Sequence, residues 1–111
     1  AEAKLMTDAG ADIVVAHMGL TTSGTIGAKT SKTLLQCVGE VQAIVDTCKS
    51  IRSNVLVLCH GGPIASPDDA RYMFEHCRNL DGFYGASSME RLPTEVALTQ
   101  EIRRFSSLQL Q

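Results

Sequence analysis

Short apolar runs alternate with longer amphipathic segments along the chain. Residues 12–18 and 54–60 are nearly continuous apolar runs rich in β-branched side chains, which is typical of parallel strands covered on both faces. We also expect a third strand over residues 81–86 (DGFYGA). Each run is followed by polar or glycine-rich residues, so the pattern predicts buried strands joined by longer connections.

The segments between the strands have helical periodicity. Apolar residues three and four positions apart predict a helix over about residues 32–51. Ser66 followed by Pro67 predicts the N-cap and first position of a second helix, and Pro93 predicts the start of a further one. The side chains expected to face the core are Leu34, Val38, Val41, Val45 and Cys48 in the first helix, Ala70, Met73, Phe74 and Cys77 in the second, and Leu98, Ile102 and Phe105 in the last.

The element order is α/β throughout. Residues 1–9 read as the end of a helix, and three β-α units follow, which implies a parallel sheet with right-handed crossovers. Such a sheet belongs to a doubly wound fold or to a (β/α) barrel. Since a closed barrel needs eight strands, residues 1–111 would be only a portion of one if the fold is a barrel, and the pattern indicates no second domain.

Composition excludes several classes of protein. The 111 residues are 44% hydrophobic and 20% charged with a formal net charge of -2, so no basic surface indicates nucleic-acid binding. No apolar run approaches the roughly 20 residues of a membrane span. The first ten residues lack the apolar segment of a signal peptide. The four cysteines contain no C-x-x-C pair, which argues against a zinc ribbon or a redox motif, so we expect reduced core thiols in a cytoplasmic protein. No metal site is expected, because His17 and His60 supply only two ligands.

Candidate chemistry follows each predicted strand. His17 ends the first strand and precedes a loop over residues 19–31 that contains Lys29, and His60 ends the second strand before Gly61 and Gly62. The third strand is followed by Gly85, Ser87, Ser88, Glu90 and Arg91. Because ligands of parallel sheets bind at the carboxyl ends of the strands, these residues predict a pocket for a phosphate or carboxylate.

Each feature also has an interpretation without a ligand. The glycine pair is compatible with a simple turn, and the two histidines with structural hydrogen bonds at the sheet edge. As a functional pair, the histidines would act as general acid and base. Glu90 and Arg91 would bind the far end of a substrate or form an exposed ion pair. Lys29 would close over an anion or remain solvated.

Three stretches resemble a known family. AHMGLTTSGTIGAKT (16–30), VLCHGGPIASPDDA (57–70) and DGFYGASSMERLPTE (81–95) are similar to the TIM-barrel domain of the phosphoenolpyruvate-hydrolase-like family. That domain also forms the carboxyl-terminal part of plant tomato-mosaic-virus-resistance proteins. The resemblance covers essentially the whole chain and corresponds to the last three β/α units of the longer family domain.

The resemblance implies a hydrolase or lyase for phosphoenolpyruvate or a similar keto-acid, with no cofactor specified. In that function His17, His60 and Glu90 would be catalytic, and the glycine and serine clusters with Arg91 and Lys29 would bind the anion. The alternative is a non-catalytic barrel that acts as a protein-interaction or oligomerisation module. Its partners would be the remainder of the barrel, a second copy or, at the level of the family, a viral replication protein.

Overall fold

The computed structural model describes residues 1–19 and 33–109, and for residues 87–93 it describes the backbone only. The elements in chain order are α1 (Glu2–Asp8), β1 (Ile13–His17), α2 (Leu34–Ile51), β2 (Leu56–His60), α3 (Pro67–His76), β3 (Gly82–Phe83) and α4 (Ser87–Ser106). The predicted α/β order is confirmed. The predicted loop over residues 19–31 lies outside the described residues except for Gly19.

The three strands form one parallel sheet in the order β1-β2-β3. Ile13 pairs with Leu56 and His17 pairs with His60, so β1 and β2 end at the same level. The third strand is shorter than predicted, since only Gly82 and Phe83 pair with β2. The carboxyl ends of all three strands therefore lie at one edge of the sheet, which we call the rim, as the sequence predicted.

One face of the sheet carries the core. Val14 and Ala16 of β1 and Val57 and Cys59 of β2 are buried in the same cluster as side chains from α2 and α3. The buried positions of α2 are Cys37, Val41, Val45 and Cys48, which confirms most of the predicted stripe. In α3 the prediction was wrong for Phe74, which is 46% exposed, whereas Met73 is fully buried.

Side-chain caps fix the beginnings of α2 and α3. Thr33 and Gln36 form a capping box at the start of α2, and Ser66 and Asp69 form another at the start of α3. Asp69 Oδ2 also accepts hydrogen bonds from the amides of Ala65 and Ser66. Both helices thus begin at defined residues, because amides that lack helical partners find side-chain acceptors.

Within residues 1–19 and 33–109, no helix packs on the opposite face of the sheet, which we call the uncovered face. Ile13 and Leu56 point to this face and are 54% and 45% exposed, and Val15 is also exposed. In the described part of the chain the strands are not covered on both faces as expected, because α1, α2 and α3 all contribute to the core on the other side. His17 and His60 follow the same alternation and lie on the uncovered face.

The last helix differs most from the prediction. It begins at Ser87 rather than at Pro93, and its predicted inward side chains, Leu98, Ile102 and Phe105, are exposed. The molecule measures 71 × 25 × 22 Å, because α4 extends away from the sheet instead of covering it. Of the helices in the described residues, none combines the length and apolar character of a membrane span.

Candidate functional site

The rim brings two predicted site residues into direct contact. The imidazole rings of His17 and His60 lie edge to face with centroids 4.8 Å apart. This contact follows from the register, since the two residues are paired at the ends of adjacent parallel strands. The side chains point to the uncovered face, where no helix of the described chain packs over them.

Tyr84 is a third ring in this arrangement, and it was missed from the sequence. Its ring meets that of His60 edge to face with centroids 4.9 Å apart. Tyr84 directly follows β3, whose Phe83 pairs with Cys59, so Tyr84 is level with His60. Extending the strand register by one residue would have identified it. His17, His60 and Tyr84 thus form a continuous row, which we call the aromatic row.

Backbone groups hold both histidine rings. Gly19 N donates a hydrogen bond to His17 Nδ1 over 3.0 Å. His60 Nδ1 lies 2.5 Å from the carbonyl oxygen of Tyr84. These bonds orient the rings through Nδ1, and within the described residues the Nε2 atoms are the ring groups left to contact a ligand.

The glycine pair brings the backbones after β1 and β2 together. Gly61 and Gly62 have φ angles of +83° and +60°, which are left-handed conformations that favour glycine. A Cβ atom at Gly62 would lie 2.5 Å from the carbonyl oxygen of Met18, and one at Gly61 would collide with the carbonyl oxygen of Gly19. Gly62 N also donates to Gly19 O over 2.8 Å. The pair therefore shapes the rim, and the Gly62 amide is already hydrogen bonded within the fold.

The predicted residues after β3 lie where that strand continues into α4. Gly85 precedes the helix, and the backbone of Ser87, Ser88, Glu90 and Arg91 forms its first turns. The N-cap position is Ala86, which has no side-chain acceptor for the first amides of the helix. The side chains of these four α4 residues, and Lys29 entirely, lie outside the described part. The structure brings together His17, His60, Gly61 and Gly62, and leaves the remaining side-chain roles as predictions.

All four cysteines are buried core thiols outside any disulfide, as predicted. Burial raises the pKa of Cys59 to about 11, so its thiol is protonated at neutral pH. In the described residues, no three His, Cys, Asp or Glu side chains are grouped so as to hold a metal ion. Among the described side chains at the rim, the polar groups are the imidazoles of His17 and His60 and the phenol of Tyr84.

The sequence is similar to proteins of known families. The profile of the family described as phosphoenolpyruvate hydrolase-like matches residues 1–108. The tomato (Solanum lycopersicum) proteins named ToMV susceptible protein tm-1(GCR26) and ToMV resistance protein Tm-1(GCR237) are both 54% identical over 110 residues, or 99% of this chain. The protein y4pA of Sinorhizobium fredii (strain NBRC 101917 / NGR234) is 32% identical over 108 residues, or 97% of the chain. The chain spans only 15% of the length of each tomato relative and 18% of y4pA.

Proposed function

The chain belongs to the phosphoenolpyruvate hydrolase-like family, and from this premise and the rim geometry we propose that it binds a small phosphorylated or carboxylated compound. The proposed reaction class is hydrolysis or lyase chemistry on phosphoenolpyruvate or a related keto-acid. The observation that carries the proposal is the contact between His17 and His60 at the carboxyl ends of paired parallel strands. That edge is where α/β folds bind their ligands.

The start of α4 supports the anion-binding part of this proposal. First-turn amides of a helix have no helical partners and attract negative charge. At α4 the cap residue is Ala86, so no side chain at that position competes for these amides. In the proposed site the amides of Ser87 and Ser88 bind the phosphate or carboxylate.

The other residues predicted at the rim have complementary roles in the proposal. Gly61, Gly62 and Gly85 keep the backbone free of side chains beside the aromatic row. Glu90 and Arg91 order the far end of the substrate, with Glu90 available for proton transfer, and Lys29 approaches the anion. His17 and His60 handle the protons of the reaction.

Ligand-dependent stabilisation tests the proposal. We expect phosphate or phosphoenolpyruvate, at ten times its dissociation constant, to stabilise the chain by about 1.4 kcal/mol. In a domain of this size that corresponds to a rise in Tm of about 5–10 °C. Changing both rim histidines to Asn should remove most of the rise, whereas His76→Asn on α3 is the matched control. No rise with either ligand would contradict the proposal.

We also propose that the sheet is part of a TIM (β/α)8 barrel, of which residues 1–111 are the carboxyl-terminal portion. The strand order follows the chain order without reversal, and α1, α2 and α3 share one core on one face. In a barrel the uncovered face, with Ile13, Val15 and Leu56, would be the interior. A structure of a longer protein containing this chain tests the proposal, and a reversal of strand order would contradict it.

A second candidate function is a non-catalytic interaction or oligomerisation module. The exposed apolar side chains of α4, including Ile102 and Phe105, are the observation that favours it. The tomato relatives are named for ToMV resistance and susceptibility, so the proposed partner is a viral protein. Pull-down with Phe105→Ser and with the rim variants distinguishes the candidates. Binding that depends on α4, with no turnover in any variant, would favour the module.

A further inference from the structure

The hydrogen-bond partners of the two rim histidines determine which ring nitrogen carries the proton. An amide N–H can only donate, so the bond from Gly19 N requires a lone pair on His17 Nδ1. A carbonyl oxygen can only accept, so the bond to Tyr84 O requires a proton on His60 Nδ1. Two neutral imidazoles held in this way have opposite tautomers.

The opposite tautomers give the two free nitrogens different roles. In the neutral rings, His17 Nε2 carries a hydrogen and donates, whereas His60 Nε2 has a lone pair and accepts. The rings meet edge to face with centroids 4.8 Å apart, on the uncovered face of the sheet. A ligand that reaches both atoms therefore needs an acceptor for His17 and a donor for His60, in neighbouring positions.

We propose that the His17–His60 pair recognises a small 2-hydroxycarboxylate. An oxygen of the carboxylate accepts the hydrogen bond from His17 Nε2, and the adjacent hydroxyl donates to the lone pair of His60 Nε2. This inference rests on the anion site of the proposed function and replaces its keto-acid substrate by an anion with a vicinal hydroxyl, because the carbonyl of a keto-acid has no hydrogen to donate to His60 Nε2. It also assigns His17 as the hydrogen-bond donor and His60 as the proton acceptor of the pair.

The bonds that fix the tautomers come from the main chain. Gly19 N lies directly after β1, and the Tyr84 carbonyl lies directly after β3 on the other side of β2. Side-chain substitutions at the histidines leave both backbone groups in place. The tautomer assignment can therefore be tested separately from ligand binding, and the histidines can be replaced while their backbone bonds are preserved.

Nitrogen NMR of the histidine-labelled chain tests the assignment directly. The chain has three histidines, and His76 Nδ1 lies 2.7 Å from the carbonyl oxygen of Tyr72, so it serves as an internal reference. At a pH where the imidazoles are neutral, we expect His60 and His76 to be protonated at Nδ1 and His17 at Nε2. A spectrum in which His17 and His60 have the same tautomer overturns the proposal.

A matched pair of ligands tests the recognition. Glycolate carries a hydroxyl beside its carboxylate, and acetate has the carboxylate alone. We expect the chain to bind glycolate about 5- to 10-fold more tightly than acetate, as one additional hydrogen bond provides. Titrations at constant ionic strength, followed by the histidine nitrogen signals, measure both dissociation constants. Equal affinities in the unsubstituted chain overturn the proposal.

Substitution by asparagine separates each Nε2 atom from the backbone bond of the same ring. His60→Asn keeps an N–H for the Tyr84 carbonyl but removes the Nε2 acceptor, so we expect glycolate and acetate to bind it equally. His17→Asn keeps an acceptor for Gly19 N but removes the Nε2 donor, so both ligands should weaken while glycolate keeps its advantage. His76→Asn should leave both affinities unchanged. A glycolate preference that survives His60→Asn overturns the assigned roles.

The outcomes distinguish this inference from the proposed function. If acetate, glycolate and phosphate all fail to bind, the proposed anion site itself is contradicted and the inference fails with it. If the anions bind without any preference for the hydroxyl, the anion site stands and the 2-hydroxycarboxylate inference alone is overturned. Opposite tautomers together with a glycolate preference that His60→Asn abolishes support it.

Discussion

Asp81 is the residue whose substitution gives the sharpest test of the fold. Its Oδ2 accepts hydrogen bonds from Lys49 Nζ over 2.7 Å and from the amide of Val57 over 2.8 Å. Lys49 Nζ also donates to the Val55 carbonyl over 2.6 Å. Because β3 begins only at Gly82, the carboxylate supplies the acceptor that a longer strand would have offered to Val57. The hydrogen bonds of Lys49 and Asp81 thus connect α2, β2 and β3 at the edge of the sheet opposite the rim.

The size of the effect follows from these contacts. The Lys49 and Asp81 side chains are 20% and 28% exposed, so the pair is partly shielded from water. Hydrogen bonds to charged groups contribute about 1.5–3 kcal/mol. We expect Asp81→Asn, which keeps one oxygen for the Val57 amide, to lower the free energy of unfolding by about 1–2 kcal/mol. Asp81→Ala leaves that amide without an acceptor, and we expect a loss of about 2–4 kcal/mol.

The effect depends on pH in a defined direction. Burial of the Asp81 carboxyl raises its pKa, but the hydrogen bonds from Lys49 and Val57 and the charge of Lys49 outweigh burial and lower the pKa. A pKa that is lower in the folded state than in the unfolded state stabilises the fold above the unfolded value, about 3.9. This contribution is lost as the pH falls through the folded pKa. The difference between the unsubstituted chain and Asp81→Asn should therefore shrink below about pH 4.

Urea unfolding at neutral and acidic pH measures both effects. The remaining carboxyl groups titrate in both proteins, so their contributions cancel in the difference between them. Asp8→Asn is the matched control, because Asp8 pairs with Lys4 on the exposed surface of α1 and should give no measurable change. An Asp81→Asn protein as stable as the unsubstituted chain at neutral pH would refute the reasoning. A difference that stays constant into acid would refute the pH argument.

Three further predictions concern the core, the rim and the exposed surfaces. The buried cysteines should react with a thiol reagent only as the chain unfolds, since the raised pKa of Cys59 keeps its thiol protonated; rapid labelling of any thiol in the folded chain would contradict this. Gly62→Ala should destabilise the chain by about 1–3 kcal/mol, because φ is positive and the added Cβ meets Met18 O. Gly39→Ala in α2, where a Cβ has open space, should stabilise it by about 0.5–1 kcal/mol, and urea unfolding of both variants measures the contrast. The isolated chain should self-associate through its strand edges and exposed apolar surface, and a monodisperse monomer by light scattering, with a sharp unfolding transition, would contradict that.

The parts of the fold that the sequence predicted are those determined by local patterns. The apolar runs located β1 and β2, and the spacing of Val41, Val45 and Cys48 located the buried stripe of α2. Ser66 and Pro67 located the start of α3. The T-x-x-Q sequence from Thr33 to Gln36 is also a capping-box signal, and recognising it would have corrected the predicted start of α2.

The errors arose where the outcome depends on what an element packs against. Periodicity correctly identifies an apolar face of α4 with Leu98, Ile102 and Phe105, but it does not tell whether another element packs on that face. Pro93 does not start α4, because the residues before it, Met89, Glu90, Arg91 and Leu92, favour a helix and the helix already begins at Ser87. Likewise, the apolar runs of β1 and β2 are suited to burial on both faces, although the described chain covers only one.

The candidate site was predicted in part for a similar reason. The contact between His17 and His60 could be predicted, because both residues end their strands and the register of parallel strands pairs such positions. Tyr84 could have been found by the same counting. The tautomers of the two histidines could not be predicted from the sequence. They depend on which backbone atom lies beside each ring, Gly19 N for His17 and Tyr84 O for His60. The Lys49–Asp81 pair joins residues far apart in sequence and has no local signal.

The two edges of the sheet should therefore be separable by mutation. Asp81 acts at the amino-terminal edge through contacts that hold α2, β2 and β3 together. In the proposal His60 acts at the rim through Nε2, whereas its Nδ1 contacts the Tyr84 carbonyl. Asp81→Asn should lower stability without changing the glycolate preference, and His60→Asn should abolish that preference with little loss of stability. In the double variant the two effects should add, because the sites share no partners. A loss of glycolate preference in Asp81→Asn at a temperature where it is fully folded would show that the rim geometry depends on the opposite edge, and the sheet would then be a single coupled unit.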